Sequence, residues 1–163
     1  MKHLLFLLFA LFASKISFSQ EHNKHTIKYI FDPRVDAKRL LDSAIGVAGK
    51  EHKRVFAVLG GDWSDWSANF LKALEKDYIK KILTENYVFI KVNFSPSNKN
   101  EEVLKRLESP RYAGYPVVVV LDENGKTVLA QNTDEMKTAP GWYFGPKVEQ
   151  FLKKWATESQ SKK

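Results

Sequence analysis

"GGDWSDWSANF", Gly60 to Phe70, stands where a short apolar run gives way to a helical pattern. The run before it, "RVFAVLGG" (Arg54–Gly61), is rich in β-formers and closed by two glycines, so it reads as a buried strand. Strand, turn and helix start in that order make a loop where chemistry is often placed. Two tryptophans, Trp63 and Trp66, stand three apart, and each is followed by a serine, Ser64 and Ser67. Serine is among the best N-cap residues, so Ser64 is expected to cap a helix carrying Phe70, Leu71, Leu74 and Tyr78 on one face. Ser67, in the first turn, is expected to face solvent or to bond locally.

The flanking sequence supplies the other elements. After the turn formers Asp32 and Pro33, the residues Val35, Leu40, Leu41, Ala44, Ile45 and Ala48 fall near helical spacing, and Gly49 suits the helix end. Ile79, Ile82 and Leu83 continue the helix after Ser64 or form a second short one. "YVFIKVNF" (Tyr87–Phe94) reads as a strand broken by Pro96 and Asn98, and "NEEVLKRLE" as a short amphipathic helix. Val117–Leu121 is fully apolar, hence a central strand, and "KTVLAQ" returns beside it through a tight turn at Asn124-Gly125. A loop from Asp134 to Gly145 holds "GWYFG", whose Trp142, Tyr143 and Phe144 are expected to cap the core or to add to a binding face. A last helix starts near Pro146 and faces inward with Val148, Phe151, Leu152 and Trp155. Strands separated by helices imply parallel pairing, with the hairpin adding an antiparallel strand.

This order resembles the thioredoxin family. Exported thioredoxin-like proteins carry a strand, then "GxDWCxxC" or "GGxWCxWC", then a helix, and Gly60, Gly61, Asp62, Trp63 and Trp66 match that pattern. Ser64 and Ser67 stand where the family has its two cysteines. "GYPVVVVLDENGK" is similar to the family segment in which a cis-proline faces the redox pair, with Tyr115-Pro116 as the matching dipeptide. The resemblance covers Tyr29 to Trp155. It implies an α/β fold, a thioredoxin-like three-layer sandwich with a mixed central sheet and helices on both faces, over residues 29–157. It also implies a peptide groove lined by Trp63, Asp65, Trp66, Tyr115 and Pro116. The buried acid that thioredoxin places five residues before the motif tryptophan is Val58 here.

Disulfide exchange needs an attacking thiolate and a second, resolving thiol. The chain contains no cysteine, so Ser64 and Ser67 are vestigial redox positions and no catalytic residue is assigned. Thiolate metal sites and iron–sulfur clusters fall with the sulfurs, and no cofactor or metal is expected. A serine hydrolase needs a neighbouring base and an orienting acid. Of His3, His22, His25 and His52, only His52 is near a structural element, and β-strand length separates it from Ser64. Asp62 and Asp65 read as a cap and a helix-dipole partner rather than a metal pair.

The first residues, "MKHLLFLLFALFASKISFSQ", have a basic start, an apolar run from Leu4 to Ala13, and small residues Ser17 and Ser19 before Gln20. The run is too short to span a bilayer, so residues 1–19 are expected to be a cleaved signal peptide, which leaves no membrane anchor. Residues 20–28 form a polar leader and 158–163 a polar tail. The 163 residues, 44% of them apolar, suit one domain with an ordinary core. The formal charge of +7 drops by two when Lys2 and Lys15 leave with the signal, and no aromatic-basic motif points to nucleic acid. The expectation is a redox-inactive thioredoxin-like protein of the periplasm or the extracellular side, binding an envelope polypeptide through the former active-site groove. The alternatives are a thiol-disulfide oxidoreductase whose cysteines were changed to serine, and a structural envelope protein without a groove.

Overall fold

The computed structural model describes residues 28–108, 114–138 and 141–156. The expected signal peptide, nearly all of the leader and the tail lie outside them. The chain runs α1 (Ala37–Glu51), β1 (Arg54–Gly60), α2 (Asp65–Leu74), α3 (Asp77–Asn86), β2 (Tyr87–Asn93), α4 (Glu101–Arg106), β3 (Val117–Leu121), β4 (Thr127–Asn132), β5 (Lys137–Thr138), β6 (Trp142–Tyr143) and α5 (Gly145–Lys154).

Four strands form one sheet in the order β2-β1-β3-β4. Strand side chains alternate between faces, so β1 feeds two separate cores. Val55, Ala57 and Leu59 join Leu41, Ala44 and Ala48 of α1 and Val103 and Leu104 of α4 in one core. Phe56 and Val58 join Phe70 and Leu74 of α2, Ile79 and Leu83 of α3, and Val148, Phe151 and Leu152 of α5 in the other. The all-valine run of β3 divides in the same way, Val117 and Val119 to the first core and Val118 and Val120 to the second. Strands covered on both faces read as continuous apolar runs. The result is the three-layer sandwich that the resemblance implies, with a mixed sheet between helices.

One pairing differs from expectation. β1 and β2 are parallel, but β3, although separated from β2 by a helix, runs antiparallel to β1, with Leu59 opposite Val117 and Val55 opposite Leu121. The end of β2 and the start of β3 lie at the same end of the sheet, since Gly60 pairs with Asn93. The six residues of α4 rise about 9 Å, whereas seven strand residues span about 23 Å, so α4 does not carry the chain back along the sheet.

Other boundaries also differ. Gly49 does not end α1, which runs on to Glu51 and closes at His52 in the left-handed region (φ 51°). A Cβ on Gly49 would lie 3.2 Å from the Glu123 carbonyl oxygen, so the glycine serves a close approach of the β3–β4 turn. In that turn the Asp122 carboxylate accepts N–H bonds from Asn124 and Lys126, both at 2.9 Å. The helix after Ser64 is two helices, because Lys76 is extended. The bend lets Ile79 and Leu83 reach the sheet as Phe70 and Leu74 do, and leaves Tyr78 exposed.

The expected loop after β4 contains the small β5–β6 hairpin. Only Tyr143 of its aromatic triplet caps the core; Trp142 and Phe144 are exposed, as strand alternation requires of its neighbours. The Tyr143 ring packs on Phe70 at 4.9 Å between centroids, and its hydroxyl meets Thr133 Oγ1 at 2.6 Å. Burial pushes its phenol up to about 12. Burial also raises Tyr87, which donates to the Leu152 carbonyl at 2.6 Å.

A raised phenol pKa favours the protonated folded state. The contribution of Tyr143 is therefore full below the unfolded value near 10 and is lost as pH rises toward about 12. Urea denaturation across that window should show stability falling, and the fall should be shallower in Tyr143→Phe. An equal slope in the two proteins would contradict the assignment.

Candidate functional site

The stretch after β1 is built by close approaches. The Gly60 carbonyl accepts from Phe94 N–H at 2.6 Å, which ties the end of β1 to the end of β2. A Cβ on Gly60 would lie 2.6 Å from Ser67 Oγ and 3.0 Å from the Phe31 ring. A Cβ on Gly61 would overlap the Trp63 indole and the Phe94 carbonyl. Both glycines are therefore required by space. The chain then turns, with Ser64 N–H donating to the Gly61 carbonyl at 3.0 Å, and α2 begins.

Asp62 has a role that its sequence context did not reveal. Its two carboxylate oxygens accept the backbone N–H groups of Ile30 (3.0 Å) and Phe31 (2.7 Å). The carboxylate is a latch between the loop and a segment some thirty residues earlier. Asp65 is exposed in the first turn of α2, where a carboxylate suits the helix dipole.

The two serines differ. Ser64 is extended (φ −113°, ψ 109°) and caps α2, its Oγ accepting from Ser67 N–H at 3.2 Å, as the sequence suggested. Ser67 does not reach solvent. It is fully buried, and its hydroxyl has no hydrogen-bond partner among the described residues. The close packing of Gly60 and Phe31 around it explains why: the slot is shaped for a side-chain atom that needs no partner.

The tryptophans also part ways. Trp63 is 56% exposed, yet it is fixed, because its indole N–H donates to the Phe94 carbonyl at 2.6 Å. Its ring meets Tyr115 edge-on at 5.6 Å, and Tyr115 stacks on Phe94 at 4.7 Å. Partial burial raises the Tyr115 phenol. Trp66 turns the other way, edge-on to Tyr143 at 5.8 Å and beneath the Lys137 ammonium at 4.2 Å. The Tyr115–Pro116 peptide bond is cis, and Pro116 is buried, so Tyr115 is the member of the pair that presents surface. The structure thus joins Trp63 and Tyr115 beside Ser64 and leaves Trp66 on the flank of the hairpin.

Sequence reasoning missed Phe94. It is both the acceptor for Trp63 and the platform for Tyr115. The signal was there, since in a parallel pair the ends of β1 and β2 coincide and an aromatic just past β2 must meet the loop. His52 pairs with Glu123 at 3.1 Å at the far end of β1, roughly 20 Å of strand from Ser64, so it cannot act as base for that hydroxyl. His3, His22 and His25 lie outside the described residues. Val58 is fully buried in an apolar core, so its position supplies no proton relay.

Opposite stability effects are expected at the serines. Ser64→Ala removes a cap and should cost about 1 kcal/mol. Ser67→Ala removes a buried hydroxyl that has no partner among the described residues and should be neutral or stabilising by up to about 1 kcal/mol. Urea midpoints measure both, and a loss at Ser67→Ala as large as that at Ser64→Ala would refute the difference.

A family model of the thioredoxin-like domain matches residues 41–137, more than half of the chain. No curated protein matches the sequence. Among solved structures, the chain is similar to a disulphide isomerase from Xylella fastidiosa Temecula1, with a TM-score of 0.68, 19% identity, and 78% of this chain and 97% of that one covered. It is also similar to a DsbH oxidoreductase, with a TM-score of 0.51, 21% identity, and 69% and 81% covered.

Proposed function

This chain belongs to the thioredoxin-like family, and from that premise we propose that it is an exported, redox-inactive member that holds an extended polypeptide partner against its former active-site face. The reading is carried by Trp63. The indole is 56% exposed and joins Tyr115 and Phe94 in one contiguous aromatic row, the kind of apolar patch that marks an interaction surface. Its own hydrogen bond and the Tyr115 edge contact hold it in one orientation, so little side-chain entropy remains to be lost on binding. No thiol stands beside it to be served. Serine is scarcely ionised near neutral pH and forms no S–S bond, so exchange chemistry has no nucleophile here.

Export is supported by the N-terminal pattern of basic start, apolar run and small residues before Gln20. No helix of the described residues is long and apolar enough to cross a membrane. N-terminal sequencing of the protein from the envelope fraction should begin at Gln20; recovery from the cytoplasm with Met1 intact would remove this part of the proposal.

The groove is tested by affinity capture from envelope extract with the wild type and Trp63→Ala side by side. A partner held by the wild type and lost in Trp63→Ala is the expected result. Equal capture by both would place any interaction elsewhere.

A second reading is favoured by one observation. The Ser67 hydroxyl is buried without a partner among the described residues, an arrangement that suits sulfur, which demands less hydrogen bonding, better than oxygen. On this reading the chain is a thiol-disulfide oxidoreductase in which serine has replaced the redox pair. Insulin disulfide reduction should be absent in the wild type and present in the Ser64→Cys/Ser67→Cys double variant. An inactive, folded double variant would count against it.

A further inference from the structure

We propose that the open edge of β2 is a dimer interface, where two copies of this chain join their sheets about a two-fold axis at Ile90. This surface is separate from the Trp63 face and does not depend on the groove.

β2 is an edge strand: β1 takes one side, and among the described residues nothing pairs with the other. One bond fixes which of its backbone groups are free. Phe94 N–H donates to the Gly60 carbonyl, so Phe94, and with it Val92, Ile90 and Val88, turn their N–H and C=O groups toward β1. The groups of Tyr87, Phe89, Lys91 and Asn93 therefore point outward. Tyr87 N–H is taken by the Leu83 carbonyl, and the Asn93 carbonyl accepts from Asn100 Nδ2. Phe89 and Lys91 keep both groups open among the described residues. A cavity of about 470 Å³ runs along this edge. Exposed Ile30, Val47 and Phe89 meet buried Leu71 and Leu83 on its walls. An open ladder beside an apolar wall is a template for an added strand.

The residues select a second copy as that strand. Two β2 strands running antiparallel about Ile90 set Phe89 opposite the second copy's Lys91, twice by symmetry. These are the residues with open backbone groups, so each pair exchanges two hydrogen bonds. Their side chains share one face, about 5.5 Å apart, which places each ammonium on a phenyl ring. Neighbouring registers fail. Centred on Lys91, two ammoniums oppose each other. Centred on Phe89, Lys91 meets Tyr87, whose N–H is already used. The edge lysine thus bars other pairings and admits this one. The cavity rim complements itself as well, since Glu75 and Lys80 give it both signs and a second copy presents both in return. The leader, residues 20–27, has only Ile27 to offer an apolar wall. In the dimer the two Ser64 ends lie at opposite ends of one continuous sheet, because the two β2 strands run in opposite directions.

Sedimentation equilibrium of the protein purified from the envelope fraction should show a monomer–dimer equilibrium. Lys91→Pro deletes an outward N–H that the monomer does not use, so the monomer should fold as before. The dimer loses that bond in both copies and should dissociate about ten- to a hundredfold more readily. Register is read by cross-linking, since the chain has no cysteine of its own. Under mild oxidation a mixture of Phe89→Cys and Lys91→Cys chains should form a disulfide-linked pair, and each variant alone should not. A monomer at the highest soluble concentration, a dimer that Lys91→Pro leaves intact, a mixture that fails to cross-link, or cross-linking by either variant alone would each overturn the interface. So would protection of the Phe89 and Lys91 amides from hydrogen exchange that does not change with protein concentration, because the chain would then be covering its own edge.

Discussion

Burial of β1 on every side is the constraint on which the rest of the molecule depends. Its two edges are taken by β2 and β3, and its faces are shared between two helical layers. Every residue from Val55 to Gly60 is buried. A strand with no exposed face cannot end gradually; its last backbone groups must be satisfied or reach solvent at once. Gly60 and Gly61 make that exit. Their missing side chains let Ser67, Phe31 and the Trp63 indole close over the strand end, and the Phe94 N–H accounts for the last carbonyl. The candidate site is thus the place where a strand buried on both faces and both edges is forced to the surface.

Much of this was legible in the sequence because burial leaves a compositional trace. "RVFAVLGG" and "PVVVVL" are apolar without alternation, which is how strands covered on both faces appear. Ser64 as a cap was legible for a local reason, since an N-cap is defined by residues within one helical turn of it. What escaped was set by long-range geometry. The antiparallel sense of β3 depends on how far α4 reaches compared with the sheet, not on any residue type. The latch from Asp62 to Ile30 and Phe31 joins positions some thirty residues apart, and nothing in "GGDW" marks its partner. The burial of Ser67 depends on Phe31 and Gly60 converging from different elements. In "GWYFG" three adjacent aromatics look alike, and only the pairing of β5 with β6 decides that the middle one turns inward.

The loss of sulfur from this loop leaves its architecture standing for a physical reason. The tasks that hold the loop in place fall to groups that are not sulfur: the Asp62 carboxylate latches the N-terminal segment, the glycines allow close approach, and the indole N–H of Trp63 pins the loop to Phe94. A thiol at either serine position would contribute chemistry and packing, but none of these bonds. Serine at both positions therefore leaves untouched the bonds that hold the loop in place.

The two replacements are still not equivalent. At position 64 oxygen is the better atom for structure, because it accepts an N–H from the first turn of α2, in the place where the same N–H and the helix dipole would have favoured a thiolate. At position 67 oxygen is the worse atom, because none of the described residues offers it a hydrogen bond. A loop selected afresh for serine would have no reason to retain the second hydroxyl, since alanine satisfies the same space at lower cost. That asymmetry is consistent with the family resemblance, in which both positions hold sulfur. The rigid aromatic row rests on neither serine: Trp63, Tyr115 and Phe94 support one another through ring contacts and a hydrogen bond.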